Sequence, residues 1–328
     1  MNQPREDQLF KLPDGRLLGY AEFGDPSGKP LLYFHGYPSC RLEPKVLEKV
    51  FKRRGIRLIS MDRPGFGLSS PQPGRQLLDW TRDVDAFTKG LGLDKFGVIG
   101  LSGGGPYALA VAYALPKNRL SAVGLFASGP PWAAGIQHVN MGRRMYRWLA
   151  INWPSGLTAI LNATVGLAKW ILSHDAVKNF IEKRFDAIRE TRKAKEAKTP
   201  TKSKVEDLSG SDQTSGDPEE SSRAGQVDEL VQGLLAEPFA QGAAATVEEA
   251  VILSNPDWGF KLEDVAYPNV EIWHGQKDKQ APIEMIRYLA RKVPNCTLHE
   301  FDKSHFSLVD HLEELITKLT NTDDANLK

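Results

Sequence analysis

Apolar runs alternate with segments of helical spacing from residue 16 to residue 129. The runs at 16–24 (RLLGYAEFG), 30–36 (PLLYFHG), 56–62 (IRLISMD), 96–102 (FGVIGLS) and 120–129 (LSAVGLFASG) predict strands. Turn residues such as Asp25, Pro26, Ser27 and Gly28 bound them. Between the strands, Val46, Leu47, Val50 and Phe51 recur at helical spacing within 43–55, and Gly55 is the expected stop. Segments 77–92 and 104–116 read as further helices, the second ended by Pro116. Strands that are apolar throughout belong to a mostly parallel sheet covered by helices on both faces. The alternation breaks off at SGPPW (128–132) and resumes at NVEIWHG (269–275). A helix over 282–294, a strand over 296–301 and a last helix near 306–319 follow. The same grammar on both sides predicts one α/β domain, residues 1–128 and 251–328, interrupted by a helical insertion at 129–250.

The insertion is uneven. Residues 132–190 read as helices carrying Trp132, Met141, Met145, Tyr146, Trp148, Trp153 and Trp170. In 191–225 the only large apolar side chains are Val205 and Leu208; a basic stretch (TRKAKEAKTPTKSK) gives way to SGSDQTSGDPEESS. Such a segment buries too little apolar surface to offset its ordering entropy, so a disordered, solvated loop is expected there. A helical pattern returns over 226–262.

Composition and charge narrow the function classes. With 42 basic and 41 acidic residues the net charge is +1, so bulk charge recruits neither nucleic acid nor membrane. No uninterrupted apolar stretch approaches the ~20 residues that span a bilayer. The first residues, MNQPREDQLFKLPDGR, lack the basic and apolar regions of an export signal. Cys40 and Cys296 then read as ordinary thiols in a reducing, cytoplasmic setting.

The chemistry concentrates where the strand 96–102 ends. Gly100-Leu101-Ser102-Gly103-Gly104 fits G-x-S-x-G, a turn so sharp between strand and helix that its serine hydroxyl stands exposed at the carboxyl end of the sheet. The small residues clear space for the turn, and the Gly103 N–H is left to donate to an oxyanion. A glycine-rich turn can also cradle phosphate, but neither G-x-G-x-x-G nor a G-x-x-x-x-G-K-[ST] lysine is present. A serine nucleophile needs a base, and the base an orienting carboxylate. The expected chain order is Ser, then Asp or Glu, then His. Of the seven histidines, His305 alone sits in a loop between the last strand and the last helix. Asp278 follows the strand 269–275, where active-site groups of open α/β sheets collect. Asp302 is its nearest rival; Asp264 precedes the strand and falls at the wrong end of the sheet. The second oxyanion donor is expected from the loop HGYPS, at the backbone N–H of Tyr37.

Together His35-Gly36-Tyr37-Pro38, Asp62-Arg63-Pro64-Gly65-Phe66-Gly67-Leu68-Ser69, the turn at Ser102, WHGQKD ending at Asp278, and SHF around His305 resemble the α/β-hydrolase superfamily. The resemblance is to the serine-nucleophile branch with a cap, or lid, after the sixth strand. It implies an eight-stranded, mostly parallel sheet, a triad of Ser102, Asp278 and His305, an oxyanion hole at Tyr37 and Gly103, and no metal or cofactor. The Asp62 turn would be structural. Ser304 stands where many members have glycine.

The expected activity is hydrolysis of a carboxylic ester, or a related small acyl compound, through an acyl-enzyme. The large cap side chains suggest an apolar group on that substrate. Thioesterase, amidase, C–C hydrolase and cyanohydrin lyase chemistry stay open, as does a non-catalytic ligand receptor that kept the pocket.

Overall fold

The computed structural model describes residues 5–174 and 232–325, with positions 177, 178, 180 and 184 between them. The 191–225 segment expected to be disordered lies outside the described residues. The chain divides into two compact units, residues 1–162 with 237–328 and residues 163–236. The first unit holds the sheet and all the chemistry discussed below.

Eight strands form one sheet in the order β1-β2-β4-β3-β5-β6-β7-β8. They are β1 (Gln8–Lys11), β2 (Leu17–Gly24), β3 (Lys29–Phe34), β4 (Ile56–Met61), β5 (Phe96–Leu101), β6 (Leu120–Phe126), β7 (Val270–Gly275) and β8 (Cys296–Phe301). Only β2 runs against the others, pairing antiparallel with β1 and β4. The sequence pattern missed β1. It is a short edge strand with one face half-buried, so no apolar run marks it. Phe10 on that face meets Phe87 edge-on at 5.3 Å.

Alternate side chains of each strand feed two cores. Leu32, Phe34, Val98, Val123 and Ile272 are buried with Trp80, Val84 and Phe87 of α2 (Asp79–Gly90), Tyr107 and Val111 of α3 (Gly105–Ala114), and Ile286 and Leu289 of the helix Ile283–Lys292. Leu31, Tyr33, Ile99 and Trp273 point the other way. They join Phe51 of α1 (Glu48–Arg53) and Leu312, Leu315 and Leu319 of the helix Leu312–Ala325. The first predicted helix is shorter than its pattern, because Pro44 opens a tighter 3₁₀ turn over Glu43–Leu47. The parallel registers pair Phe34 with Gly100, Gly100 with Leu125, and Leu125 with Ile272. The strands therefore end in one row, and the loops at 35–38, 102–104 and 276–281 leave the same edge.

Between β6 and β7 the described helices are α4 (Met141–Asn152), α5 (Pro154–Leu172) and α6 (Ala244–Leu253). The helices after β7 and β8 named above are α7 (Ile283–Lys292) and α8 (Leu312–Ala325). The helix expected over 226–242 appears, within the described residues, only as one wide turn at Gln232–Ala236 followed by turns. Gly233, Pro238 and Gly242 break it up. Met141, Met145, Trp148, Trp153 and Trp170 are exposed, whereas Trp132 is buried and Tyr146 half-buried. Among the described residues α5 alone is long and apolar enough to cross a bilayer by length and composition. Ser155, Thr158, Asn162, Thr164 and Lys169 interrupt its apolar positions, so it forms no uninterrupted apolar run. A single such helix is weak evidence for a membrane span.

Candidate active site

Leu101 ends β5 in extended conformation, and Ser102 adopts φ 48°, left-handed backbone that a side chain rarely accepts. A 3₁₀ turn over Ser102–Gly104 leads directly into α3. The glycines make this turn possible. A Cβ on Gly104 would overlap the Phe34 carbonyl of β3, and one on Gly100 would overlap the Gly104 carbonyl. The strain at Ser102 lifts its hydroxyl out of the sheet's edge.

Three of the residues singled out in the sequence meet there. Ser102 Oγ lies 3.1 Å from His305 Nε2, and His305 Nδ1 lies 2.6 Å from Asp278 Oδ2. The other carboxylate oxygen of Asp278 accepts from the Gln280 N–H at 2.7 Å and the Ala281 N–H at 2.9 Å. Burial pushes the Asp278 carboxyl upward, but the His305 hydrogen bond and charge and the Ala281 amide outweigh it and hold the group below its usual range. Asp278 is thus a buried, oriented carboxylate, and its contact leaves Nε2 of His305 facing the serine. Asp302 is exposed and pairs with Lys277 at 2.7 Å. Ser304 does not have positive φ. Its Oγ lies 2.9 Å from Ser307 Oγ, so serine fits where glycine is usual.

The loop after β3 approaches the serine from the other side. A Cβ on Gly103 would lie 2.6 Å from Tyr37 Cβ and 3.2 Å from Tyr37 N, so the two backbone amides are neighbours. The Gly36 N–H is spoken for, donating to Glu43 Oε2 at 2.7 Å. The Gly103 N–H sits in a first helical turn, where amides lack intrahelical acceptors. Tyr37 also ties the loop to the insertion: its hydroxyl donates to the Thr246 carbonyl of α6 at 2.7 Å and lies 3.0 Å from the Tyr146 hydroxyl of α4.

Several groups around this site were given no role by the sequence. Arg63 is fully buried and donates to the carbonyls of His35 at 2.6 Å and Gly36 at 2.9 Å. It also pairs with Glu249 of α6 at 2.6 Å, and Arg75 reaches the same carboxylate at 2.9 Å. Burial would raise the Glu249 carboxyl, but the two guanidinium groups hold it down to about 2. His35 stays neutral, because burial and then Arg63 push its pKa well below the usual value. His274 is buried behind Asp278, 3.3 Å from the carboxylate, and burial again lowers its pKa. The turn at Asp62-Arg63 was legible as a motif. The acid that answers Arg63 comes from the far side of the insertion, at a separation no local pattern spans.

A profile described as alpha/beta hydrolase fold matches residues 29–148. Among curated proteins, a non-heme chloroperoxidase of Streptomyces lividans is 35% identical over 120 residues, 36% of this chain and 43% of that protein. A proline iminopeptidase of Xanthomonas citri is 28% identical over 153 residues, 46% of this chain and 44% of that protein. The matched stretch thus spans less than half the length of either relative. Among solved structures, an esterase from Exiguobacterium antarcticum superposes with a TM-score of 0.63 at 16% identity, covering 97% of this chain and 99% of that one. A bromoperoxidase from Bacillus anthracis gives 0.60 at 19% identity over 95% and 99% of the two chains. The chain has the α/β-hydrolase fold. An α/β-hydrolase carries its reactive groups on the loops at the carboxyl edge of the sheet, which is where Ser102, Asp278 and His305 stand.

Proposed function

We propose that this α/β-hydrolase is a serine hydrolase of carboxylic esters, with Ser102, His305 and Asp278 as its triad and the Tyr37 and Gly103 amides as its oxyanion hole. The observation that carries the proposal is the chain of short contacts from a strained, half-buried Ser102 through His305 to Asp278.

Ser102 Oγ bonds to the ester carbonyl carbon while its proton passes to His305 Nε2. The electron pair moved onto the carbonyl oxygen is met by the two amides. Asp278 stabilises the resulting imidazolium without taking its proton. Collapse breaks the bond to the alcohol, which leaves with the proton from His305. Water then attacks the acyl-enzyme by the same steps, releasing the acid and restoring Ser102. On this reading 129–250 is a cap inserted between β6 and β7, and α4 and α6 flank the oxyanion loop. The large cap side chains that suggest an apolar substrate group are mostly exposed and so are not part of a packed core.

Cleavage of an amide after an N-terminal proline is the second reading, favoured by the matches to proline iminopeptidases. Both readings are tested by stopped-flow hydrolysis of p-nitrophenyl butyrate and of proline p-nitroanilide. The ester reading expects a burst of nitrophenol equal to the enzyme concentration, absent in Ser102→Ala. Faster turnover of the anilide would favour the second reading. No Ser102-dependent turnover of either would remove both.

A further inference from the structure

α4 carries three arginines with unlike surroundings. Asn140 caps the helix by accepting from the Arg143 N–H at 2.9 Å, which fixes Arg143 in the first turn. Arg144 donates through Nε to the Val139 carbonyl at 2.7 Å. Arg147 donates to the Ser254 carbonyl at 3.1 Å and lies over the Trp132 ring at 5.6 Å. The Arg143 guanidinium has no hydrogen-bond or ion-pair partner among the described residues, although it is half-buried. Positions 143, 146, 147 and 150 share one face of the helix. On that face Tyr146 reaches the Tyr37 hydroxyl, Arg147 reaches the end of α6, and Ala150 is buried against Val247 and Ala250. Arg143 therefore lies one turn from Tyr146 on the inward side, on the helix face that carries the contact with the Tyr37 hydroxyl. Burial lowers the Arg143 pKa, and the negative charge of Asp278 raises it in part.

A partly desolvated guanidinium without an acceptor is costly, because all five of its N–H groups look for one. Asp278 cannot supply it, since its oxygens are taken by His305, Gln280 and Ala281. The geometry points to Arg143 as the binding residue for a carboxylate on the substrate, so that the ester turned over is an anionic one. This rests on the site being a hydrolase and names the substrate class it would take. The planar fork of a guanidinium matches a carboxylate in two parallel hydrogen bonds. The same cation opposes a substrate whose own charge is positive.

Two matched pairs of esters test this: mono-p-nitrophenyl glutarate against its methyl ester, and 4-butyryloxybenzoate against its methyl ester. They place the carboxylate on the acyl and on the alcohol side. In one pair the acid is expected to exceed the neutral ester in kcat/KM by about 10- to 100-fold, carried by KM, as for a charge-assisted hydrogen bond. Arg143→Met should bring that ratio down by the same factor, and Arg143→Lys should restore part of it. A ratio near one in both pairs of the wild type, or an unchanged ratio in Arg143→Met, overturns the assignment while leaving the hydrolase reading intact. Absence of Ser102-dependent turnover of all four esters overturns both.

Discussion

Glu249→Gln probes the buried network that holds the loop at 35–38. Glu249 is fully buried and is the only carboxylate that Arg63 and Arg75 pair with at hydrogen-bonding distance among the described residues. Its neutral replacement leaves two buried guanidinium groups short of an anion, a change that costs about 3–5 kcal/mol in comparable buried pairs. The carboxyl gives a second measure. Its fall from 4.5 to about 2 corresponds to about 3 kcal/mol of native-state stabilisation. Because the folded value is depressed, that stabilisation is complete above pH ~4.5 and is lost as pH falls toward 2. At neutral pH the variant should melt about 6–12 °C below the wild type, given about 2–4 °C per kcal/mol for a large domain. The gap should narrow as the pH is lowered from 5 to 3, since the unfolded carboxyl then takes up its proton while the folded one stays charged. Arg63 also carries the His35 and Gly36 carbonyls, so kcat should fall by up to about 10²–10³-fold if the Tyr37 amide loses its aim. Calorimetry and urea titration across that pH range, with ester kinetics at pH 7, read all three. A variant within about 0.5 kcal/mol of wild type at pH 7, or a gap independent of pH, would refute the reasoning.

Other perturbations follow from the same geometry. Asp278→Asn removes the charge that orients His305 and should lower kcat by up to ~10⁴-fold with little change in melting temperature; a near-silent variant would show that the base is oriented by another group. Gly104→Ala drives a methyl into the Phe34 carbonyl and should give little soluble protein at 37 °C, so a well-folded variant would contradict the packing at the turn. Tyr146→Phe breaks the contact with Tyr37 and should cost about 1 kcal/mol of stability by urea titration, the net worth of one hydrogen bond.

Much of this architecture was legible because the fold writes it locally. Fully apolar strands such as 96–101 announce burial on both faces, and Ser102, Asp278 and His305 each follow such a strand or stand before a helix. What was not legible depends on contacts over long separations. β1 pairs on one edge only and leaves no apolar run. Glu249 sits in TVEEAVILS, a stretch that reads as any amphipathic helix, and its partners lie 186 and 174 residues away. Arg143 is one of three arginines on α4, and only the packed helix separates it from the two that have partners among the described residues. The sequence also left the burial of the large side chains of the insertion open: Met141, Met145, Trp148, Trp153 and Trp170 stand exposed, and Trp132 is buried.

The central claim is that Ser102 is an activated nucleophile. Covalent labelling with a fluorophosphonate, followed by peptide mass mapping, tests it most directly. One label per chain, located on Ser102, lost in Ser102→Ala and slowed in Asp278→Asn, is the predicted result. A folded wild type that takes no label, or takes it at another residue, would contradict the account.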